Sequence, residues 1–101
     1  MIIRGQVVYV YDIEVFPNLF TCSCINSESK KSGTWEISQR KNDLPELIKG
    51  FLNKKIMWCG YNEIHYDAPI ISYILMNYDS LIRMPIWKIT DEIKKFSDLI
   101  V

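Results

Sequence analysis

The stretch VVYVYDIEVF, Val7 to Phe16, is a run of β-branched and aromatic residues that reads as a β-strand, and it carries two acids. Strand side chains alternate, so Asp12 and Glu14 project from one face while Ile13 and Val15 point the other way. A carboxylate in a core is expensive unless it is paired, hydrogen-bonded or bound to a cation. Two of them held a few ångströms apart repel each other as well. Two readings meet that cost. The strand end turns into solvent at Phe16-Pro17 and both acids are hydrated, or they share a hard divalent ion such as Mg²⁺, which prefers oxygen ligands.

The segments that follow build a sheet around this strand. Turn residues at Phe16 to Asn18 lead into LFTCSCIN (Leu19 to Asn26), a second strand in hairpin with the first. The polar run SESKKSG is a loop, and TWEIS (Thr34 to Ser38) alternates as a third strand, completing an antiparallel meander. In NDLPELIKGFLNK, Leu44, Leu47, Ile48, Phe51 and Leu52 recur at helical spacing behind an Asn42/Asp43 cap, with Pro45 in the first turn. IMWCGYN (Ile56 to Asn62) reads as a buried fourth strand with Trp58 inside the core. A second helix is expected within YDAPIISYILMNY, where Pro69 suits a first turn and Ile70, Ile71, Ile74 and Leu75 share a face. Beyond Tyr78 the pattern weakens. IWKITDEIKKF permits a short helix or a loop, and SDLIV (Ser97 to Val101) reads as the start of another strand. The expectation is one α/β domain over 1–101, a mixed sheet that begins with a three-stranded meander and continues helix, strand, helix.

Composition narrows the function classes. Twelve basic and twelve acidic side chains cancel, so no global field draws the chain onto nucleic acid, and any such contact must be local. The pairs Lys30-Lys31, Lys54-Lys55 and Lys94-Lys95 read as solvated loop or helix-end charge. Three cysteines, an odd number, with no charged-then-apolar leader and no long apolar run, fit a reduced, intracellular protein. Cys22 and Cys24 lack further ligands at zinc-like spacing and read as small hydrophobes.

A second acidic signal lies in GYNEIHYDAPII, Gly60 to Ile71. An amide residue at a strand end is followed five positions later by Asp67, which an aromatic, Tyr66, precedes. Alone, Asp67 reads as an N-cap for the second helix. A strand-to-helix junction is also where open α/β folds place their sites, so the two roles are compatible.

Together, YDIE and, about fifty residues later, GYNEIHYD resemble the first two motifs of the DEDD-type 3′–5′ proofreading exonuclease domains attached to family B DNA polymerases, phage-type enzymes included. The family motifs are D-x-E and N-x(2–3)-(F/Y)-D. Asn62, Tyr66 and Asp67 fall on the second. The order of elements also resembles that family's ribonuclease-H-like fold, over Val7 to about Leu75. The resemblance implies that Asp12, Glu14 and Asp67 are catalytic and ligate two divalent metal ions, Mg²⁺ or Mn²⁺. It also implies that Asn62 and Tyr66 contact the substrate strand or steady the acids, and that the substrate is a single-stranded DNA 3′ end trimmed to nucleoside 5′-monophosphates.

The family's third motif, Y-x3-D or H-x3-D on a late helix, has no counterpart after Asp67. Trp87-x3-Asp91 is its nearest imitation, and indole does not orient a water as a phenol does. His65, the single histidine, falls in the variable spacer of the second motif. The domain is therefore expected to stop before its last helix, with Asp98 on a strand that would precede that helix. A shortened fold exposes a sheet edge, which calls for a partner: a polymerase remainder, a second copy or another protein. The alternative is an exonuclease-like protein that binds nucleic acid or a partner and has lost the reaction.

Overall fold

Strands β1 (Ile2–Ile3) and β2 (Gln6–Phe16) form a hairpin across Arg4 and Gly5, whose φ angles of 52° and 79° both lie in the left-handed region. Glycine takes that conformation without penalty, which is why so tight a reversal fits here. The computed structural model describes residues 1–61 and 63–100, with the side chains of Glu63 and Ile64 excepted.

β2 is the spine of the sheet. Pro17 and Asn18 turn it into β3 (Leu19–Asn26), paired antiparallel from Phe16↔Leu19 to Tyr9↔Asn26. β3 pairs in turn with β4 (Ser32–Ser38), and a two-residue β5 (Lys41–Asn42) closes that side. The expected meander is present, with β4 two residues longer at its start. Helix α1 (Leu44–Phe51) follows. Its entry is built differently from the expected cap. Asn42 Oδ1 accepts the Leu44 N–H at 3.1 Å, while Asp43 turns back to accept the Glu36 N–H at 2.9 Å.

Gly50, unfavourable inside a helix by propensity, has a packing reason. A Cβ there would land on the Trp35 indole, and the Gly50 carbonyl accepts the Trp58 Nε1–H at 3.1 Å. Phe51 stacks on Trp58 with ring centroids 4.3 Å apart. Helix, meander and returning strand are thus locked through one aromatic cluster.

β6 (Ile56–Gly60) returns parallel to β2, from Val7↔Ile56 to Tyr11↔Gly60. It was expected as a buried inner strand reaching Asn62. Instead it ends at Gly60 and, among the described residues, pairs with β2 alone. Trp58 is only partly buried and Cys59 is exposed, because an edge strand has neighbours on one side. A π-helical turn, Glu63–Asp67, then leads into α2 (Ala68–Met76), followed by the short α3 (Tyr78–Leu81).

The largest departure is at the end of the chain. Ile86–Ile100 is one fifteen-residue helix, α4, so Ser97 to Ile100 does not begin a strand and Asp98 is helical, while Val101 lies outside the described residues. Ile86, Ile89, Ile93, Phe96 and Ile100 continue a spacing of three and four, and Ile89 and Ile93 are fully buried. That face outweighs the β-propensity of the terminal Leu-Ile-Val. Ion pairs Lys88–Glu92, Lys95–Asp91 and Lys94–Asp98, each four residues apart, line its outer side.

The helices pack on one face of the sheet. The core joins Tyr11 and Ile13 of β2 and Phe20 and Cys22 of β3 to Leu47 of α1, Ile74 of α2 and Ile93 of α4. The opposite face carries Val10, Asp12 and Glu14 of β2, Ser23 and Ile25 of β3 and Thr34 of β4, all exposed. The result is an α/β fold with one covered and one open sheet face. Among the described residues no helix is long and apolar enough to cross a membrane.

Candidate functional site

Asp12 and Glu14 occupy the face that strand alternation assigns them. Both are exposed, while Tyr11 and Ile13 on either side of Asp12 are 3% and 4% exposed and belong to the core. In register, Asp12 stands opposite Ser23 and Glu14 opposite Thr21. Ser23 continues to Thr34 through a hydroxyl–hydroxyl hydrogen bond of 3.0 Å. A shallow groove of about 410 Å³ runs past Asp12, lined also by Val10, Ser23, Ile25, Thr34 and Tyr61. Glu36, on the same face, is already neutralised. Arg40 donates to both its oxygens at 2.8 and 2.9 Å and Ser38 donates at 2.6 Å, which together hold its carboxyl well below the usual range, at about 2. Among the described residues neither Asp12 nor Glu14 has a cationic side chain within ion-pair distance.

Asp67 lies elsewhere. It is fully buried. A Cβ added at Gly60 would stand 3.0 Å from the Asp67 Cβ and 3.1 Å from the Tyr11 Cζ and hydroxyl oxygen. Gly60 and Tyr11 are register partners on parallel strands, so they share a face, and it is the covered one. Asp67 therefore sits beneath the helices, over Gly60 and against Tyr11, while Asp12 and Glu14 face outward. The capping role read from sequence is not what holds it. Its own backbone is helical (φ −65°, ψ −49°), with no side-chain cap to α2.

The two acidic motifs meet along the sheet axis and not across its faces. β6 stops at Gly60, opposite Tyr11, and Asp12 is the next residue of β2. Both motifs thus lie at the carboxyl end of one parallel strand pair. Cys22, the register partner of Ile13 on the neighbouring strand, feels both acids. Burial raises its thiol pKa most, with Cys24, Asp67 and Asp12 pushing it further up. Cys22 and Cys24 share the covered face as small apolar groups, and the three cysteines are free thiols.

The remaining candidates divide. The Tyr66 hydroxyl shares a 2.9 Å hydrogen bond with Ser97 of α4, so this side chain ties the π-helical turn to the last helix. Asn62 lies outside the described residues. His65 is exposed. Trp87, at the start of α4, is 63% exposed, and Asp91 pairs with Lys95.

The donors suit a cation only in part. Asp12 and Glu14 are two hard oxygen donors, adjacent and accessible, which is the number a Mg²⁺ ion commonly takes from protein when phosphate and water complete its shell. The three-carboxylate centre implied by the motif resemblance is not gathered. Among the described residues no group of three His, Cys, Asp or Glu side chains is placed to hold a metal ion. Sequence reasoning missed Gly60 and Tyr11, the residues against which Asp67 packs. The adjacency of Gly60 to the second motif was the available signal.

Comparison with protein-family models, with curated proteins and with solved structures finds no match to this chain.

Proposed function

We propose that this chain carries the first two motifs of a metal-dependent 3′–5′ exonuclease domain, ribonuclease-H-like in fold and of the kind that proofreads for family B DNA polymerases. The observation that carries the reading is topological. The D-x-E pair lies on the spine strand β2, and N-x3-Y-D follows β6, the strand parallel to it, so both motifs emerge at the same end of that pair. An open α/β sheet places a ligand at that location.

In this reading Asp12 and Glu14 would hold a divalent ion, Mg²⁺ or Mn²⁺, and the substrate is a single-stranded DNA 3′ end. The ion supplies Lewis-acid stabilisation of phosphate charge. Asp67 is the third carboxylate, positioned by Gly60 and Tyr11, and Tyr66 braces its turn against α4. Asn62 belongs to the same motif. A further polypeptide segment carrying Y-x3-D supplies the fourth carboxylate.

A second reading is favoured by the burial of Asp67 on the face away from Asp12 and Glu14: an exonuclease-like module that binds a partner and does not cut. A 3′-labelled single strand incubated with Mn²⁺ separates the two. The first reading expects slow release of nucleoside monophosphates that falls at least about 100-fold in Asp12→Ala, because such constellations act as a unit. Release that is absent, or the same in the variant, leaves the second.

A further inference from the structure

The open sheet face changes character along β2. At the end near the amino terminus, the register puts Ile3, Val8 and Val10 on that face, flanked by Ile25 of β3 and by Met57 and Cys59 of β6. Val8 is 7% exposed yet lies outside the main core cluster, on the open side of the sheet. Ile3, Val10 and Ile25 around it remain 36–39% exposed. Two residues further along the strand the same face presents Asp12 and then Glu14, without a cationic partner among the described residues.

The geometry points to a docking surface for an amphipathic polypeptide helix with an apolar stripe and a cationic end. The stripe covers Val8, Val10, Ile25 and Met57, and its Lys or Arg residues meet Asp12 and Glu14. Charge complementarity selects this occupant. A second copy laid face to face would bring acidic ends together or leave them capped by apolar surface, and unpaired charge at an interface is costly. Anionic lipid and bare nucleic acid are repelled by the same two acids. A cationic helix instead gains on both halves, with charge fixing its direction and register. The argument stands on the open face and does not use the nuclease reading, although the same two acids serve in both.

Three synthetic eighteen-residue helical peptides in EDTA test it by amide chemical-shift mapping: a leucine stripe ending in lysines, the same stripe ending in glutamates, and the lysine end with the stripe changed to glutamine. EDTA removes divalent ions, so this outcome is separable from that of the nuclease assay. The first peptide should bind and shift Val8, Val10, Asp12 and Ile25. The other two, and the first against Asp12→Asn/Glu14→Gln, should bind about tenfold more weakly or less. Both replaced side chains are exposed, and circular dichroism confirms that this variant is folded. Equal affinity for the lysine- and glutamate-ended peptides, shifts confined to the helices, or no binding by the first peptide would overturn the proposal. A dimer that buries this face by sedimentation and shift mapping would also overturn it.

Discussion

Gly60 is the residue on which the placement of Asp67 depends. Its missing side chain leaves room for two neighbours, and neither yields cheaply. The Asp67 Cβ is fixed to the backbone of a helical turn, and Tyr11 is wedged in the core against Phe51 and Trp58. Gly60→Ala should therefore destabilise the chain by about 1–3 kcal/mol in urea unfolding, as overpacking does, despite the usual preference for alanine over glycine. A neutral or stabilising result would mean that Asp67 moves aside freely and is not held there. At this scale the sequence was partly legible. Alternation alone put Asp12 and Glu14 together on one face, because the period of a strand is exact. It was silent on Asp67, since the face taken by a residue after a strand depends on which way the chain turns, and that is set by tertiary packing.

Among the elements, the meander, α1 and α2 followed from turn chemistry and periodicity, and the end of the chain did not. Ser97 to Val101 looks like a strand when read locally. The helical repeat becomes visible only when Ile86, Ile89, Ile93 and Phe96 are counted as one face. The helix begins directly after Pro85. α4 is a principal cover of the sheet, with Phe96 stacked on Tyr73 of α2 at 4.4 Å and Ile89 and Ile93 fully buried. Ile93→Ala should cost about 2–4 kcal/mol by thermal or urea unfolding. A loss below about 1 kcal/mol would indicate that α4 packs loosely on the core. The edge position of β6 was also illegible. A short apolar run reads alike at the centre and at the edge of a sheet, and the exposure of Cys59 is a property of the topology.

For the whole molecule, layering matters most. One covered face builds the core from strands and all three longer helices, and the other face is left with an apolar end, a hydroxyl ladder and two acids. Both motifs lie at the carboxyl end of the β2–β6 pair, and the fold separates Asp12 and Glu14 from Asp67 between the two faces. A site divided in this way is consistent with a nuclease centre that needs a further segment, and with a binding module that never forms one. The nuclease reading requires the open-face acids to hold an ion.

The most direct measurement is a Mn²⁺ titration followed by paramagnetic broadening of the backbone amides. The nuclease reading predicts broadening centred on Asp12 to Glu14 and on the facing residues Thr21 to Ser23, abolished in Asp12→Asn/Glu14→Gln. Broadening centred elsewhere, undiminished in that variant, or absent at millimolar Mn²⁺ would contradict it.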